Sequence, residues 1–314
     1  MSFAEKLVAW QRRGGRHDLP WQGTRDPYRI WLSEVMLQQT QVAAAIPYYE
    51  RFLSRFPAVG DLAAASQEEV LALWSGLGYY ARGRNLHAAA QEVVRRGAFP
   101  STPEDIEKLP GIGRSTAAAI AVFAFGKREA ILDGNAKRVL ARYFAVSEEK
   151  ELWKLSERLV PARGVRAYTQ ALMDLGATVC TRRPDCARCP VRRDCIARRD
   201  DRVHELPAPR PKKLLPLRRA HWMVFRFDDQ VLLERRPSPG IWGGLWCFPE
   251  KKGDGRRLDV IEHGFTHYRL KIQPVLRELA KKTPAGKSER WMSLAEAAAA
   301  AVPTPVRRLI ARLR

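Results

Sequence analysis

The sequence predicts a mixed two-domain protein, an all-helical domain followed by a small α+β domain. Three observations carry this prediction. Helical patterning recurs from Phe3 to Gly176, around a central helix, glycine hairpin and helix that begins LPGIGRSTAAAI at Leu109. A linker over 201–218 holds Pro207, Pro209, Pro211 and Pro216 among basic residues. After it come short β-type runs bounded by turn residues. The expected domains are 1–200 and 219–314, joined by 201–218.

Bulk properties narrow the partner. The chain has 314 residues, enough for two domains, and 46% hydrophobic residues, enough for two cores. Its formal charge is +21. Residues 1–218 hold 36 basic and 24 acidic residues, and residues 219–314 hold 19 and 10, so neither part is a charged tail. A polyanionic partner is expected. There is no signal-peptide pattern and no apolar run of membrane length, so a cytoplasmic or nucleoid-associated protein is expected, with no membrane partner.

In chain order, Phe3 to Gln11 reads as a helix. A longer helix is expected from Ile30 to Ile46, with Pro47 ending or kinking it. Within it, Ile30, Trp31, Leu37 and Gln38 share helical neighbour spacing with Glu34. An acid on such an apolar face can have a raised pKa and hold a proton to donate. The bland alternative is an exposed acid on an amphipathic helix, the usual fate of Glu. Helices continue over 48–100, separated at Pro57. Gly76 and Gly78 allow a sharp approach to Tyr79 and Tyr80, either of which could wedge between bases or simply pack in the core. Arg82 and Arg84 could meet a nucleic-acid backbone or merely solvate the surface.

Thr102 can cap a short helix with Pro103 in its first turn. Gly113 then permits the tight turn into a second helix, which Gly126 ends. The turn from Gly111 to Arg114 would point free N–H groups outward, where they can hold a phosphate. Asp133 immediately precedes GNAKRVLARYF and is a candidate N-cap, which for a lone Asp is the ordinary role. Paired with Glu34, it is also half of a two-carboxylate arrangement for cleaving a glycosidic bond. Asn135, Lys137 and Arg138 open the following helix, whose N-terminus favours anions.

Cys180, Cys186, Cys189 and Cys195 form a C-x5-C-x2-C-x5-C pattern. Its compactness argues against a disulfide framework, and four thiolates can bind zinc or a [4Fe–4S] cluster; spacing alone does not choose. Arginines decorate this loop and could lie beside phosphates. Cys247 stands apart as a small apolar packer. In the C-terminal part, Trp222–Phe227, Val231–Leu233 and Thr266–Gln273 read as strands. A final helix begins at Thr304 and Pro305, with Val306, Leu309, Ile310 and Leu313 on its packing face.

The segments WLSEVMLQQTQV, GLGYYARGRNL, LPGIGRSTAAAI, LDGNAKRVLARYF and the four-cysteine loop resemble those of A/G-specific adenine DNA glycosylases of the helix-hairpin-helix superfamily. The resemblance covers essentially the whole chain. It implies a helix-hairpin-helix glycosylase domain with a cysteine-cluster loop and a Nudix-like lesion-recognition domain. It implies base excision repair of adenine opposite 8-oxoguanine or guanine in double-stranded DNA, by a monomer. Glu34 then protonates adenine, Asp133 stabilises the sugar cation or its covalent counterpart, and Asn135 arranges the pocket. Tyr79 inserts near the lesion, and Phe265-Thr266-His267 matches a loop that approaches 8-oxoguanine, with Thr266 where serine is more usual. Gln38, Arg82, Arg84, Gly111, Gly113, Arg114, Ser115 and Lys137 complete the expected DNA contacts. The resemblance selects [4Fe–4S] over zinc, although the first cysteine gap is five residues where six is commonest. Ser115 stands where strand-nicking relatives carry a lysine able to form a Schiff base, so a monofunctional, water-using enzyme is implied. The second domain lacks the acidic helix of active Nudix pyrophosphohydrolases, and no hydrolase role is expected of it. The competing readings are a lesion-binding protein without catalysis, a glycosylase for another base, and a zinc-stabilised structural protein. Adenine release from defined duplexes separates them.

Overall fold

The computed structural model describes residues 1–208, 214–238 and 240–314. Pro209 and Pro211 of the expected linker lie outside the described residues. Two compact units are present, Met1–Ala63 with Ala88–Pro211 and Ala64–His87 with Lys212–Arg314. The expected division was contiguous; here Ala64–His87 belongs with the C-terminal unit.

The helices run α1 Phe3–Gly14, α2 Pro27–Leu37, α3 Val42–Arg55, α4 Val59–Ala64, α5 Gln67–Trp74, α6 Tyr80–Arg95, α7 Pro103–Glu107, α8 Arg114–Phe125, α9 Gly134–Phe144, α10 Glu149–Leu159, α11 Val165–Thr178 and α12 Ile196–Arg199. Local chemistry explains their starts. The Ser2 hydroxyl accepts from Glu5 N while Glu5 reaches back to Ser2 N, a reciprocal cap for α1. Thr102 accepts from Asp105 N, and Pro103 fills the first turn of α7. The expected helix over Ile30–Ile46 is two helices. α2 stops at Leu37, Gln39 adopts a φ of 57°, and α3 restarts at Val42 with Pro47 inside it. No glycine marks this break, so periodicity ran through it. The hairpin also differs in detail. Gly111 carries the left-handed backbone at φ 78°, while Gly113 is the extended N-cap of α8.

In the first unit, α1 and α9 pack on α11, and α2 packs on α8. The core joins Leu7, Val139, Leu140, Leu152, Leu172 and Leu175. Each fully buried Leu contributes about 1.5–3 kcal/mol of burial. Asp174 is a charged group within this interior, fully buried. Its carboxylate accepts from Arg16 N, Nε and Nη2 at 3.0, 2.8 and 2.7 Å and from Gln170 Nε2 at 3.0 Å. A buried charge survives only with such pairing.

The second unit holds a mixed seven-stranded sheet of β1 Leu217–Phe227, β2 Gln230–Arg235, β3 Trp246–Cys247, β4 Arg256–Arg257, β5 Ile261–Gly264, β6 Arg269–Glu278 and β7 Glu289–Ser293. Its order is β3-β2-β1-β6-β4, with β5 on β6 and β7 on β2. β1 and β6 run parallel from Leu217↔Arg269 to Arg226↔Glu278. α13 Leu294–Ala299 and α14 Thr304–Leu313 follow, and Val306, Leu309, Ile310 and Leu313 are buried as their spacing predicts. The expected strand start at Thr266 moves to Arg269. Phe265 to Tyr268 instead form a turn, closed by Phe265 N donating to Tyr268 O at 2.9 Å.

Candidate active site

α2 is set in place by Asp26, whose carboxylate accepts from Tyr28 N at 2.9 Å, with Pro27 at the first helical position. Tyr28, Ile30, Trp31, Leu32, Val35 and Met36 are all buried, so the helix is enclosed on most sides. Glu34 is partly buried and faces a cavity of about 510 Å³. Trp21, Ile30, Leu37, Val42, Phe123 and Gln170 also line it. Burial pushes the Glu34 carboxyl up to about 8, and the negative charge of Asp133 adds to the shift. Glu34 therefore holds its proton at neutral pH, inside a cavity of ligand size.

The segment before Asp133 is pinned from two helices. Leu132 N donates to Ser115 Oγ of α8 at 3.0 Å, and Ser156 Oγ of α10 donates to Ile131 O at 2.8 Å. Asp133 caps α9, accepting from Asn135 N at 3.2 Å and Ala136 N at 2.8 Å. The ordinary capping role is thus present, and the same carboxylate acts electrostatically on Glu34. Asn135 Oδ1 accepts from Arg138 Nη2 at 2.8 Å, and that guanidinium also donates to Gly176 O at 2.5 Å and Cys180 O at 2.7 Å. Gly176 is a close approach, since a Cβ there would sit 2.6 Å from Asn135 Cβ. Sequence reasoning did not single out Ser156, Gly176, or the Arg16–Asp174 pair that ties down the wall beside Trp21. Their partners lie tens of residues or more away in sequence, so no local pattern marks them.

Other expected site residues fall in both units. In the first, Arg114 lies 3.9 Å over the Trp153 ring and donates to Glu157 at 2.6 Å. Lys137 pairs with Glu149, and Gln38 Nε2 reaches Thr116 Oγ1 at 3.4 Å. In the second, Tyr79 is 48% exposed at a φ of 48°, whereas Tyr80 is buried. That left-handed backbone is strained for a tyrosine. Arg82 holds the same turn, donating to Leu77 O and Gly78 O at 3.4 and 3.3 Å and lying over the Trp74 and Tyr79 rings. Burial lowers its guanidinium to about 10. Arg84 Nη1 donates to Gly243 O at 2.9 Å. The Phe265 ring stacks on Tyr268 at 4.5 Å, leaving Thr266 and His267 exposed.

The expectation of a [4Fe–4S] cluster, and with it metal binding, is corrected. Among the described residues no group of three or more His, Cys, Asp or Glu side chains could hold a metal ion. Cys180, Cys186, Cys189 and Cys195 do line one cavity, but its volume is about 20 Å³, room for about one water. The side chains make other contacts. Arg142 Nη1 donates to Cys180 Sγ at 3.4 Å, and Cys195 Sγ donates to Arg142 O at 3.4 Å. Burial raises the thiols of Cys186 and Cys195 and pushes that of Cys189 up to about 12. The C-x5-C-x2-C-x5-C spacing brought the four chains to one place without producing a coordination site.

Comparison with known proteins finds a family match in each part of the chain. Residues 32–162, which contain Glu34 and Asp133, match the HhH-GPD superfamily of base excision DNA repair proteins, and residues 220–312 match the NUDIX domain. Adenine DNA glycosylase of Buchnera aphidicola subsp. Baizongia pistaciae is 34% identical over 99% of this chain and 97% of its own length. The Homo sapiens adenine DNA glycosylase is 33% identical over 98% of this chain and 73% of its own. A solved thermostable thymine-DNA glycosylase superposes with a TM-score of 0.59 at 31% identity, over 63% of this chain and 95% of that one. The chain belongs to the adenine DNA glycosylase family, within the HhH-GPD superfamily of base excision repair proteins. Among the described residues no helix is long and apolar enough to cross a membrane.

Proposed function

We propose that this glycosylase hydrolyses the N-glycosidic bond of adenine paired with 8-oxoguanine or guanine in duplex DNA. The observation that carries the reading is Glu34, a carboxyl held protonated to about pH 8 in the wall of a 510 Å³ cavity. Adenine must leave the base stack to reach such a cavity. Protonation by Glu34 makes the base a better leaving group, and positive charge then develops on the sugar. Asp133 supplies the opposing negative charge, and Asn135 keeps its end of α9 in register through Arg138. One carboxyl is raised to donate and the other stabilises charge, a division of labour set by environment. Water completes the hydrolysis; Ser115 is engaged with Leu132 N and offers no amine for a Schiff base. Exposed Tyr79 is suited to wedge at the lesion, and the Phe265-Thr266-His267 turn to meet 8-oxoguanine. Gln38, Arg82, Arg84, Gly111, Gly113, Arg114 and Lys137 are the proposed DNA contacts around these groups, with Arg82 and Arg84 also bonded to loop carbonyls of the protein. The domain reading is a glycosylase part over 1–200 and a lesion-reading part over 219–314. The charge of +21 supports a monomer working on DNA in the cytoplasm, at the nucleoid.

The test incubates purified protein with duplexes holding adenine opposite 8-oxoguanine, guanine or thymine, and thymine opposite guanine. Free base and strand breakage are both measured. Adenine release from the first two without prompt nicking is expected. Release of thymine instead, or binding with no release, would overturn the reading.

A further inference from the structure

The second unit contains a cavity of about 570 Å³ that the glycosylase reading does not use. Its floor is one face of the sheet. Arg219 and His221 of β1 alternate onto the same side, and Lys271 and Gln273 of β6 stand beside them in register, Arg219↔Lys271 and His221↔Gln273. Arg257 of β4 joins from the next strand, paired with Val275. Lys252 comes from the Lys252–Gly255 loop that forms the wall, and Asp254 is the one acid among the lining residues. Five cationic or ionisable bases therefore face one acid.

This arrangement works against folding. Like charges directly opposite on neighbouring strands are destabilising, and Arg219 and Lys271 are such a pair. On its other side Lys271 stands in register with Glu262 of β5 at 3.8 Å, an acid it shares with Arg269, which pairs with Glu262 at 2.9 Å, so one carboxylate is divided between two bases. The wall is closely fitted to the floor. A Cβ at Gly253 would sit 2.9 Å from Met223 Sδ, and one at Gly255 would sit 2.3 Å from Leu276 O. Gly255 also has a φ of 157°. The two glycines let the loop lie against β1 and β6, so the concavity is preformed. Its size is that of a small-ligand site. None of its lining residues comes from the Phe265-Thr266-His267 turn or from Ile241–Glu250.

We propose that this cavity is a phosphate-binding site for nucleotides, taking either a DNA backbone phosphate or the phosphates of a free nucleotide. Anions of this class relieve the Arg219–Lys271 repulsion and match the guanidinium geometry. The proposal is independent of the catalytic roles of Glu34 and Asp133.

The test compares full-length protein with the Arg219→Gln, Lys252→Gln, Arg257→Gln triple variant. A control triple variant, Arg277→Gln, Lys281→Gln, Lys287→Gln, removes the same charge from exposed positions outside the cavity. Thermal melting confirms that all three are folded. Pyrophosphate and dADP binding are followed by calorimetry, and duplex binding by titration at several salt concentrations. A backbone source predicts that the cavity variant alone loses duplex affinity roughly tenfold or more, with the salt slope reduced by about 2–3. A free-nucleotide source predicts that pyrophosphate or dADP binding falls at least tenfold in the cavity variant alone, with duplex binding kept. No loss in any assay, or equal losses in the two triple variants, would overturn the site.

Discussion

The hairpin region around Asp133 and the cysteine loop are both organised around α9, yet they follow from the sequence in different ways. Around Asp133 the helix caps are short-range, although Ser115 and Ser156 pin the segment from farther along the chain. Thr102, Gly126 and Asp133 each act within a few residues of their place in the chain, and each takes the capping role its chemistry favours. The cysteine loop depends on side chains converging at set distances. Its four cysteines approach one another around a cavity of about 20 Å³ and pack with Arg142 instead of forming a metal site. Spacing in sequence brings groups near one another, but the last ångströms come from packing.

The largest expected effect lies on the catalytic side of this comparison. Glu34→Gln keeps most of the side-chain volume but removes the acidic proton. Single-turnover adenine release should fall by roughly a hundredfold to ten-thousandfold, while binding to an adenine:8-oxoguanine duplex persists. Near-normal release from folded protein would remove Glu34 from its role.

Arg142 probes the other side. It is 4% exposed and donates to Leu206 O at 2.9 Å and Thr181 O at 2.6 Å as well as to Cys180. Arg142→Met should lower unfolding free energy by about 3 kcal/mol, because buried carbonyls lose their donor. Denaturant unfolding checks this; an unchanged midpoint would mean that the loop is held some other way. Gly176→Ala should cost about 1–3 kcal/mol through overpacking against Asn135, and should slow base release by displacing that residue. A variant with parental stability and rate would show that α9 and α11 separate easily. Ser115→Ala is the mildest. Losing the acceptor for Leu132 N should cost about 1 kcal/mol, with Ser156 still anchoring Ile131. A loss of several kcal/mol by the same measurement would mean that the two anchors are not independent.

These particulars also show what was legible beforehand. The two-domain division of fold type, the final helix and the Asp133 cap were readable because periodicity and capping are local. The break between α2 and α3 was not, since it rests on Gln39 at positive φ, with neither Gly nor Pro to announce it. Membership of Ala64–His87 in the second unit was likewise unreadable. It depends on tertiary contacts such as Trp246 Nε1 donating to Glu68 at 2.8 Å and Arg84 to Gly243 O. Glu34 was legible as a candidate from its apolar neighbours, but not the cavity it faces. Trp21, Phe123 and Gln170 reach that cavity from three separate stretches of chain.

The central claim is that burial keeps Glu34 protonated for delivery to the base. Its carboxyl is raised from the ordinary value of 4.5 to about 8. Between those values the folded chain binds a proton that the unfolded chain has released, so this group makes stability fall as pH rises from 4.5 to about 8. The donating form is present below about 8 and is lost above it. The direct measurement is single-turnover adenine release from an adenine:8-oxoguanine duplex across this range, with binding saturated at every pH. The account predicts a level rate below about 8 and a fall of about tenfold per pH unit above it. A rate that declines already near the ordinary carboxyl value, or that stays level well above pH 8, would contradict it.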